Sequence, residues 1–179
     1  MNNKVKLKTS RLILRPILLE DFSAIYNYSK DDEWGQYMDP HTLEHVENLV
    51  CNWVTSSWNI SPRFSIMLDS NVIGGTGLYI DVENNKAEIG YSLAKNYWGK
   101  GYITEATTEV MRWGFEDLKL YKIFARANAE NFRSLNVMEK LGMNQEALLK
   151  GHNLIRGKRK DEVVFSILKD NWKPSNRLQ

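Results

Sequence analysis

The stretch AEIGYSLAKNYWGKGYITEA, residues 87–106, restricts this chain more than any other. A period-2 segment runs into two glycines around a lysine, and a helical pattern starts at once, with no proline or polar linker between. A second apolar strand, KIFARA at 122–127, follows that helix. Strand, crossover helix and strand imply a parallel pair, which a hairpin cannot make. Glycines placed at such a junction mean that something must come close to the backbone.

Hairpins and two earlier helices surround this unit. Residues 11–17, RLILRPI, read as a short strand that Pro16 ends or places at a sheet edge. Phe22, Ile25 and Tyr26 have helical spacing within 18–30, after acids in the first turn. Asp39-Pro40 reads as an N-cap followed by proline at the first helical position. The helix behind it carries Leu43, Val46, Leu49, Val50 and Trp53 on one face. Strands at 63–68 and 71–80 turn about Asp69–Asn71, and Asn84-Asn85 turns into a strand at 86–93. The helix after the glycines covers about 102–118. A short helix begins near Asn131 with Leu135, Met138 and Leu141 on one face and Gly142 as its cap. Strands at about 145–155 and 162–168 close the chain around the turn RGKRKDE. The order β-α-α-β-β-β-α-β-α-β-β predicts an α/β (α+β) fold, a mixed sheet with 86–93 parallel to 122–127, in one domain over 1–179.

Hydrophobic content of 42%, charged content of 26% and a net charge of +2 give no electrostatic case for a nucleic-acid or membrane partner. The amino terminus, MNNKVKLKTSRL, has no apolar leader and no run approaches a membrane span, so the expected compartment is the cytoplasm. The single cysteine, Cys51, lies between Val50 and Trp53 and reads as a small core or interface hydrophobe. His41 and His45 stand four apart with no third ligand in view, and no metal site is predicted.

Gly99-Lys100-Gly101 alone could be a tight turn. Two established phosphate loops fail here. A Walker-type loop needs Ser or Thr where Gly101 stands. A dinucleotide fingerprint needs a third glycine where Thr104 stands, and an acid closing the next strand, which ends Ala125-Arg126-Ala127-Asn128. What is left is a helix N-terminus at Tyr102 with unsatisfied N–H groups, two residues without side chains, and Lys100 and Lys95 at the rim. That suits an anion with several oxygens, a phosphate or pyrophosphate. Asn131 is a good N-cap for the second short helix, with Ser134 one turn in. Beside a parallel pair, both helix N-termini lie at the carboxyl end of the sheet, where ligands of open sheets collect.

Together, AEIGYSL, WGKGYITEA and KIFARANAENFRSLNVMEKLGM resemble the GNAT acetyltransferases, and among them the Rim-type enzymes that acetylate ribosomal-protein N-termini. TSRLILRPILLEDF and KDEVVFSILKDNW extend the likeness over nearly the whole chain. The resemblance implies a mostly antiparallel sheet splayed around acetyl-CoA, with helices on both faces. It implies that the backbone of Trp98, Gly99, Lys100, Gly101, Tyr102 and Ile103 holds the pyrophosphate. The pantetheine arm then pairs with Ser92 and Leu93, and Asn131 hydrogen-bonds the same arm. The family loop often opens with Gln or Arg, where this chain has Asn96.

The chemistry implied is direct attack of an amine on the thioester, with no acyl-enzyme. It requires a neutral amine, a polarised carbonyl and a stabilised leaving group. The Leu93 N–H is the implied polarising group. Glu88 matches the strand carboxylate that acts as general base in some members, with a structural ion pair to an Arg or Lys as the alternative. Many members carry a tyrosine acid where Met138 stands; Rim-type members lack it, and Ser134 takes the role of supporting the thiolate.

Acceptor specificity is expected from the segment between the first strand and residue 60, and from the closing hairpin. EWGQYMDPHT is an aromatic-rich candidate for the acceptor cleft, and Trp53 and Trp58 read as cleft or core. The run Arg156-Gly157-Lys158-Arg159-Lys160 reads as a solvated hairpin tip or a ribosome contact. Three functions follow. The first is acetylation of the N-terminal α-amine of a protein or peptide. The second is the same chemistry on a small amine such as an antibiotic, a polyamine or an amino-acid derivative. The third is a non-catalytic acetyl-CoA-binding module, against which intact Glu88, Asn131 and Ser134 argue. The resemblance tilts the choice towards a protein N-terminus, ribosomal or other, and admits a homodimer.

Overall fold

Residues 4–39 and 41–173 are described by the computed structural model. The strands are β1 (Leu7–Lys8), β2 (Ile13–Pro16), β3 (Arg63–Leu68), β4 (Asn71–Asp81), β5 (Lys86–Leu93), β6 (Lys122–Asn128), β7 (Asn144–Ile155) and β8 (Lys158–Leu168). The helices are α1 (Phe22–Ser29), α2 (Leu43–Thr55), α3 (Tyr102–Glu116) and α4 (Phe132–Lys140). Among the described residues the strands form one sheet in the order β1-β2-β3-β4-β5-β6-β8-β7. β1 is additional to the predicted order; at two residues it is too short to show a period.

All neighbours are antiparallel except β5 and β6. Their parallel ladder holds for Lys86–Lys122, Ala87–Ile123 and Glu88–Phe124. Past these pairs β5 runs on to Leu93 and β6 to Asn128 without pairing to each other, which leaves a wedge in the sheet.

α3 packs on one face through Ala106, Val110, Met111, Trp113 and Phe115, buried at helical spacing. Gly114 lets the helix down onto Ile123, Leu120 and Leu78, whose atoms lie 3.0–3.5 Å from where a Cβ would stand. α1 and α2 cover the opposite face with a smaller core of Ile17, Ile25, Val46 and Val50. Trp58 packs edge-on against Phe64, centroids 5.1 Å apart, so its core reading holds.

The join between sheet and α1 is polar and buried. Asp21, 2% exposed, accepts from Arg15 Nη1 and Nη2 (2.8 and 2.5 Å), Ser65 Oγ (2.6 Å) and the Leu18 N–H (2.9 Å). Burial acts to raise its pKa, but the hydrogen bonds from Arg15, Ser65 and Leu18 outweigh it and hold the carboxyl below its usual range.

Three local expectations change. α2 is capped by Thr42, whose Oγ1 accepts the His45 N–H at 3.1 Å, while Asp39 accepts the Arg156 N–H at 2.9 Å. Pro40 lies outside the described residues. Cys51 is exposed: one residue past buried Val50, the helix has turned by about 100° and the thiol leaves the core. The closing hairpin turns at Arg156-Gly157, both at positive φ, and β8 begins at Lys158 because Lys158–Lys160 stay in register with β7. Residues 156–159 are exposed, as a hairpin tip should be, but Arg156 is also tied down. Its guanidinium donates to the carbonyls of Met38 (3.2 Å) and Gly35 (3.1 Å), clasping the segment 31–39 between α1 and α2.

Candidate active site

The wedge is lined by main-chain groups whose direction follows from register. The Ala94 N–H donates to the Ile73 carbonyl at 2.8 Å, which makes Gly74–Leu93 a non-hydrogen-bonded pair of the β4–β5 ladder. The N–H and C=O of Leu93, and by alternation those of Tyr91, therefore point away from β4 into the wedge. Those of Ser92 point back to β4. This corrects the expected pairing surface: Tyr91, not Ser92, shares the wedge with Leu93. The Leu93 carbonyl already accepts two indole N–H groups, from Trp98 at 2.8 Å and Trp34 at 3.1 Å.

The glycine loop stands at the mouth. Gly99 and Gly101 have φ of +75° and +79°. Nothing lies within 4 Å of a Cβ built at Gly99, and only Arg11 Nη2, at 3.5 Å, near one built at Gly101. Side chains there would be strained and would fill the open space before the α3 N-terminus. Arg11 braces the loop from outside the predicted motif. It donates to the Lys100 carbonyl (3.1 Å), stacks on the Tyr102 ring (4.4 Å) and pairs with Glu105 (2.6 Å). Burial acts to raise the Glu105 pKa, but bonds from Thr9, Ser10 and the Arg11 N–H turn the net shift downward.

Both expected rim cations are engaged. Lys100 Nζ folds back onto the Asn96 carbonyl at 3.0 Å. Lys95 pairs with Glu33 at 2.5 Å, and Glu33 also takes Arg133 at 3.0 Å. Glu33 and Trp34 belong to the segment that Arg156 clasps, and with it they help enclose a cavity of about 360 Å³ that also touches Tyr91, Leu93, Gly101 and Ser134.

On α4, Asn131 Oδ1 accepts the Ser134 N–H at 3.1 Å, the N-cap geometry expected of it. Ser134 Oγ meets the Tyr91 hydroxyl at 2.9 Å, and that hydroxyl also reaches the Ser134 carbonyl at 3.1 Å. Burial pushes the Tyr91 phenol up to about 12, so it stays a neutral donor across any working pH. Tyr28 of α1, likewise pushed up to about 12 by burial, holds Ser92 Oγ at 3.1 Å.

Met138 is 1% exposed in the main core. A phenol there would meet apolar packing, so Met138→Tyr is expected to lower stability by about 1–3 kcal/mol with no gain in turnover. Thermal melts and steady-state rates check this; a stable, faster variant would refute the placement.

Carboxylates lie on the other face. Arg126 holds Glu88 by both oxygens, Nη2 at 2.8 Å and Nε at 3.2 Å, so the ion pair named as the alternative to a base is present. Glu162 on β8 is 8% exposed. Its Oε1 accepts from Asn153 at 2.9 Å, whereas Oε2 has no hydrogen-bond partner among the described residues. Oε2 sits 3.7 Å from both Arg126 Nη1 and His152 Nε2. Nothing in the sequence separates Glu162 from the turn-like Asp161 beside it.

Residues 11–144 match the model of the acetyltransferase (GNAT) domain. The chain belongs to the GNAT acetyltransferase family. This GNAT protein is 36% identical to p20, an uncharacterized N-acetyltransferase of Bacillus licheniformis, over 93% of this chain and 97% of the relative. Over 86 residues, 48% of this chain and 44% of the relative, it is 30% identical to the ribosomal protein uS5-alanine N-acetyltransferase of Escherichia coli. Its fold matches the crystal structure of an acetyltransferase (GNAT family) from Bacillus anthracis with a TM-score of 0.84, at 27% identity over 93% and 99% of the two chains. It is an N-acetyltransferase with acetyl-CoA as co-substrate. The site fits that molecule. Open space before a helix N-terminus suits its phosphates, and the outward main chain of Tyr91 and Leu93 suits an extended amide arm. Among the described residues no helix is long and apolar enough to cross a membrane.

Proposed function

We propose that this enzyme acetylates the N-terminal α-amine of a protein or peptide. The state of Glu88 carries the reading: both oxygens are taken by Arg126, so the strand carboxylate is not free to strip a lysine ammonium. An α-amine with a pKa near 7.7–8.0 is roughly a fifth neutral at near-neutral pH, against on the order of 0.1% for a lysine near 10.4. The Escherichia coli relative, named for an alanine of a ribosomal protein, points the same way.

Acetyl-CoA, when bound, supplies an activated acyl group, a thioester whose carbon takes the amine and whose sulfur leaves as thiolate. In this reading the main chain of Trp98, Gly99, Lys100, Gly101, Tyr102 and Ile103 holds the phosphates, and Tyr91, Leu93 and Asn131 line the arm. The Leu93 N–H, directed into the wedge, polarises the acyl oxygen. Ser134 Oγ donates to the departing sulfur. A hydroxyl has one proton, so Ser134 can do this only while Tyr91 turns its own single proton from the Ser134 carbonyl to Ser134 Oγ. A phenol pushed up to about 12 does not surrender its proton to a thiolate whose thiol has a pKa near 8.5, so Tyr91 orients; the amine releases one proton to solvent and the departing thiolate takes one up from it.

The test is a mass-spectrometric competition. Acetyl-CoA and the protein are incubated with peptides bearing free N-termini, the same peptides blocked there but carrying lysine, and polyamines. Acetyl is expected on the free α-amines alone; acetyl on the polyamines or lysines instead would reject the reading. On the best peptide, Ser134→Ala is expected to lower kcat about 10- to 100-fold with little change in the KM for acetyl-CoA.

A further inference from the structure

Arg63 crosses the sheet lying flat. Its register partner on β4 is Gly77, whose own partner on β5 is Gly90, so Arg63, Gly77 and Gly90 form one row over three strands. The row lies on the face that α1 and α2 cover. A Cβ on Gly77 would stand 2.8 Å from Arg63 Cδ, and one on Gly90 3.4 Å from Arg63 Nη1. The missing side chains are what let the guanidinium reach β5. There it is held between Gly90 and the Trp53 ring of α2, 5.8 Å from the ring centroid.

Its polar contacts are few. Nε donates to Ser61 Oγ at 3.3 Å. Among the described residues, neither terminal nitrogen has a hydrogen-bond acceptor and no carboxylate lies within 4 Å. Glu88, on the same face, is committed to Arg126. Burial lowers the Arg63 pKa and Glu88 at longer range pulls it up, yet a guanidinium stays charged in any folded protein. A half-buried cation without a counter-ion is costly unless a ligand supplies one. The location says which ligand. Gly90 is two residues past Glu88, where the β5–β6 ladder ends, so the unpaired head stands at the opening of the wedge, on the face opposite Ser134.

We infer that Arg63 is the anion receptor of the acceptor site, and that the preferred acceptors carry a carboxylate a few bonds from the reacting amine. This rests on the wedge being the place of acetyl transfer. With the sulfur leaving towards Ser134 on the α4 face, the amine arrives from the α1 and α2 face, past Gly90. The planar fork of a guanidinium matches a carboxylate in two parallel N–H···O bonds. Glu88 pairs with Arg126 and Glu162 lies beside the same guanidinium, so Arg63 is the cation left over on this face and it matches one carboxylate. The carboxylate has two possible sources: the α-carboxylate of a free amino acid, or an Asp or Glu side chain next to a peptide N-terminus.

Paired acceptors distinguish them. One pair is serine and serinamide; the other is two peptides that begin Ser-Glu and Ser-Gln and are otherwise identical. The wild type is expected to prefer the carboxylate member of one pair by about 10- to 100-fold in kcat/KM, the effect of one charge-assisted hydrogen bond or a pair of them. The pair that shows the preference names the source; a preference confined to serine supports the anion receptor but replaces the peptide acceptor of the proposed function with a free amino acid. Arg63→Met is expected to abolish it while acetyl-CoA binding and the rate on the uncharged member stay as in the wild type. Arg63→Lys is expected to retain part of it, which separates loss of charge from loss of fold. Equal use of both members by the wild type, or a preference that survives in Arg63→Met, overturns the inference and leaves α-amine acetylation standing. Acetyl on polyamines and on none of these α-amines overturns the underlying reading, and the anion receptor with it.

Discussion

Gly101→Val is expected to raise the dissociation constant for acetyl-CoA about 100-fold and to abolish measurable turnover, in a protein that still folds. The two effects separate because of where the side chain goes. At φ +79° a valine pays a local strain of about 1–2 kcal/mol, and the nearest atom to its Cβ, Arg11 Nη2 at 3.5 Å, is at ordinary contact distance. The fold therefore loses the strain and little else. The ligand loses the approach to the α3 N-terminus, where each charge-assisted N–H bond contributes about 1.5–3 kcal/mol, and losing one or two of them accounts for roughly 100-fold. Calorimetric titration with acetyl-CoA and a thermal melt read the two effects independently. A dissociation constant near that of the wild type would remove this loop from the phosphate site.

Asp21→Asn is expected to destabilise the protein by about 3 kcal/mol, measured by urea unfolding. Breaking a buried pair costs about 3–5 kcal/mol, and the lower end applies because Arg15 keeps 20% of its side chain exposed while Asp21 keeps 2%. The pH dependence has a definite sign. The folded carboxyl titrates below its unfolded value, so its contribution is complete above the unfolded pKa, near 3.9, and is lost as pH falls through the folded one. Acid unfolding of the wild type should steepen below about pH 4. Asp21→Asn should flatten that limb but keep the share due to Glu105, whose pKa is also lowered. A variant within about 1 kcal/mol of the wild type would show that the sheet and α1 are joined by apolar packing alone.

Elements that carry their own period were legible in the sequence. β5 came out with its observed ends, and the glycine junction stood out because the pattern changes period there without a linker. Contacts across long stretches of chain did not come out. Arg11 reaches Lys100 across 89 residues, and Tyr91 reaches Ser134 across 43. Alternation turns Tyr91 inward with Ile89 and Leu93, which is also what a core tyrosine does. The Ser92 expectation failed for a sharper reason. Which main-chain groups face the wedge depends on the parity of the β4–β5 register, and a slip of one residue exchanges the two sets. Thr42 and Asp39 are both good caps three residues apart, and tertiary contact with Arg156 claimed the second. Glu162 became visible only when β8 was laid beside β6, opposite Asn128.

Among the described residues, three residue pairs of parallel ladder join the half-sheet β1 to β5 to the half-sheet of β6, β8 and β7. Each half is laddered within itself, so the seam between them is where backbone cooperativity is weakest. A molecule that hydrogen-bonds both lips of the wedge binds only when the halves are held at one separation. Linkage then makes it a stabiliser of the whole chain, worth about 2.7 kcal/mol at a hundredfold excess over its dissociation constant. In the proposed mode of binding, the acyl donor acts as a length of strand the protein does not encode. Its departure after each turnover leaves the two halves joined by three pairs and the helices that span them.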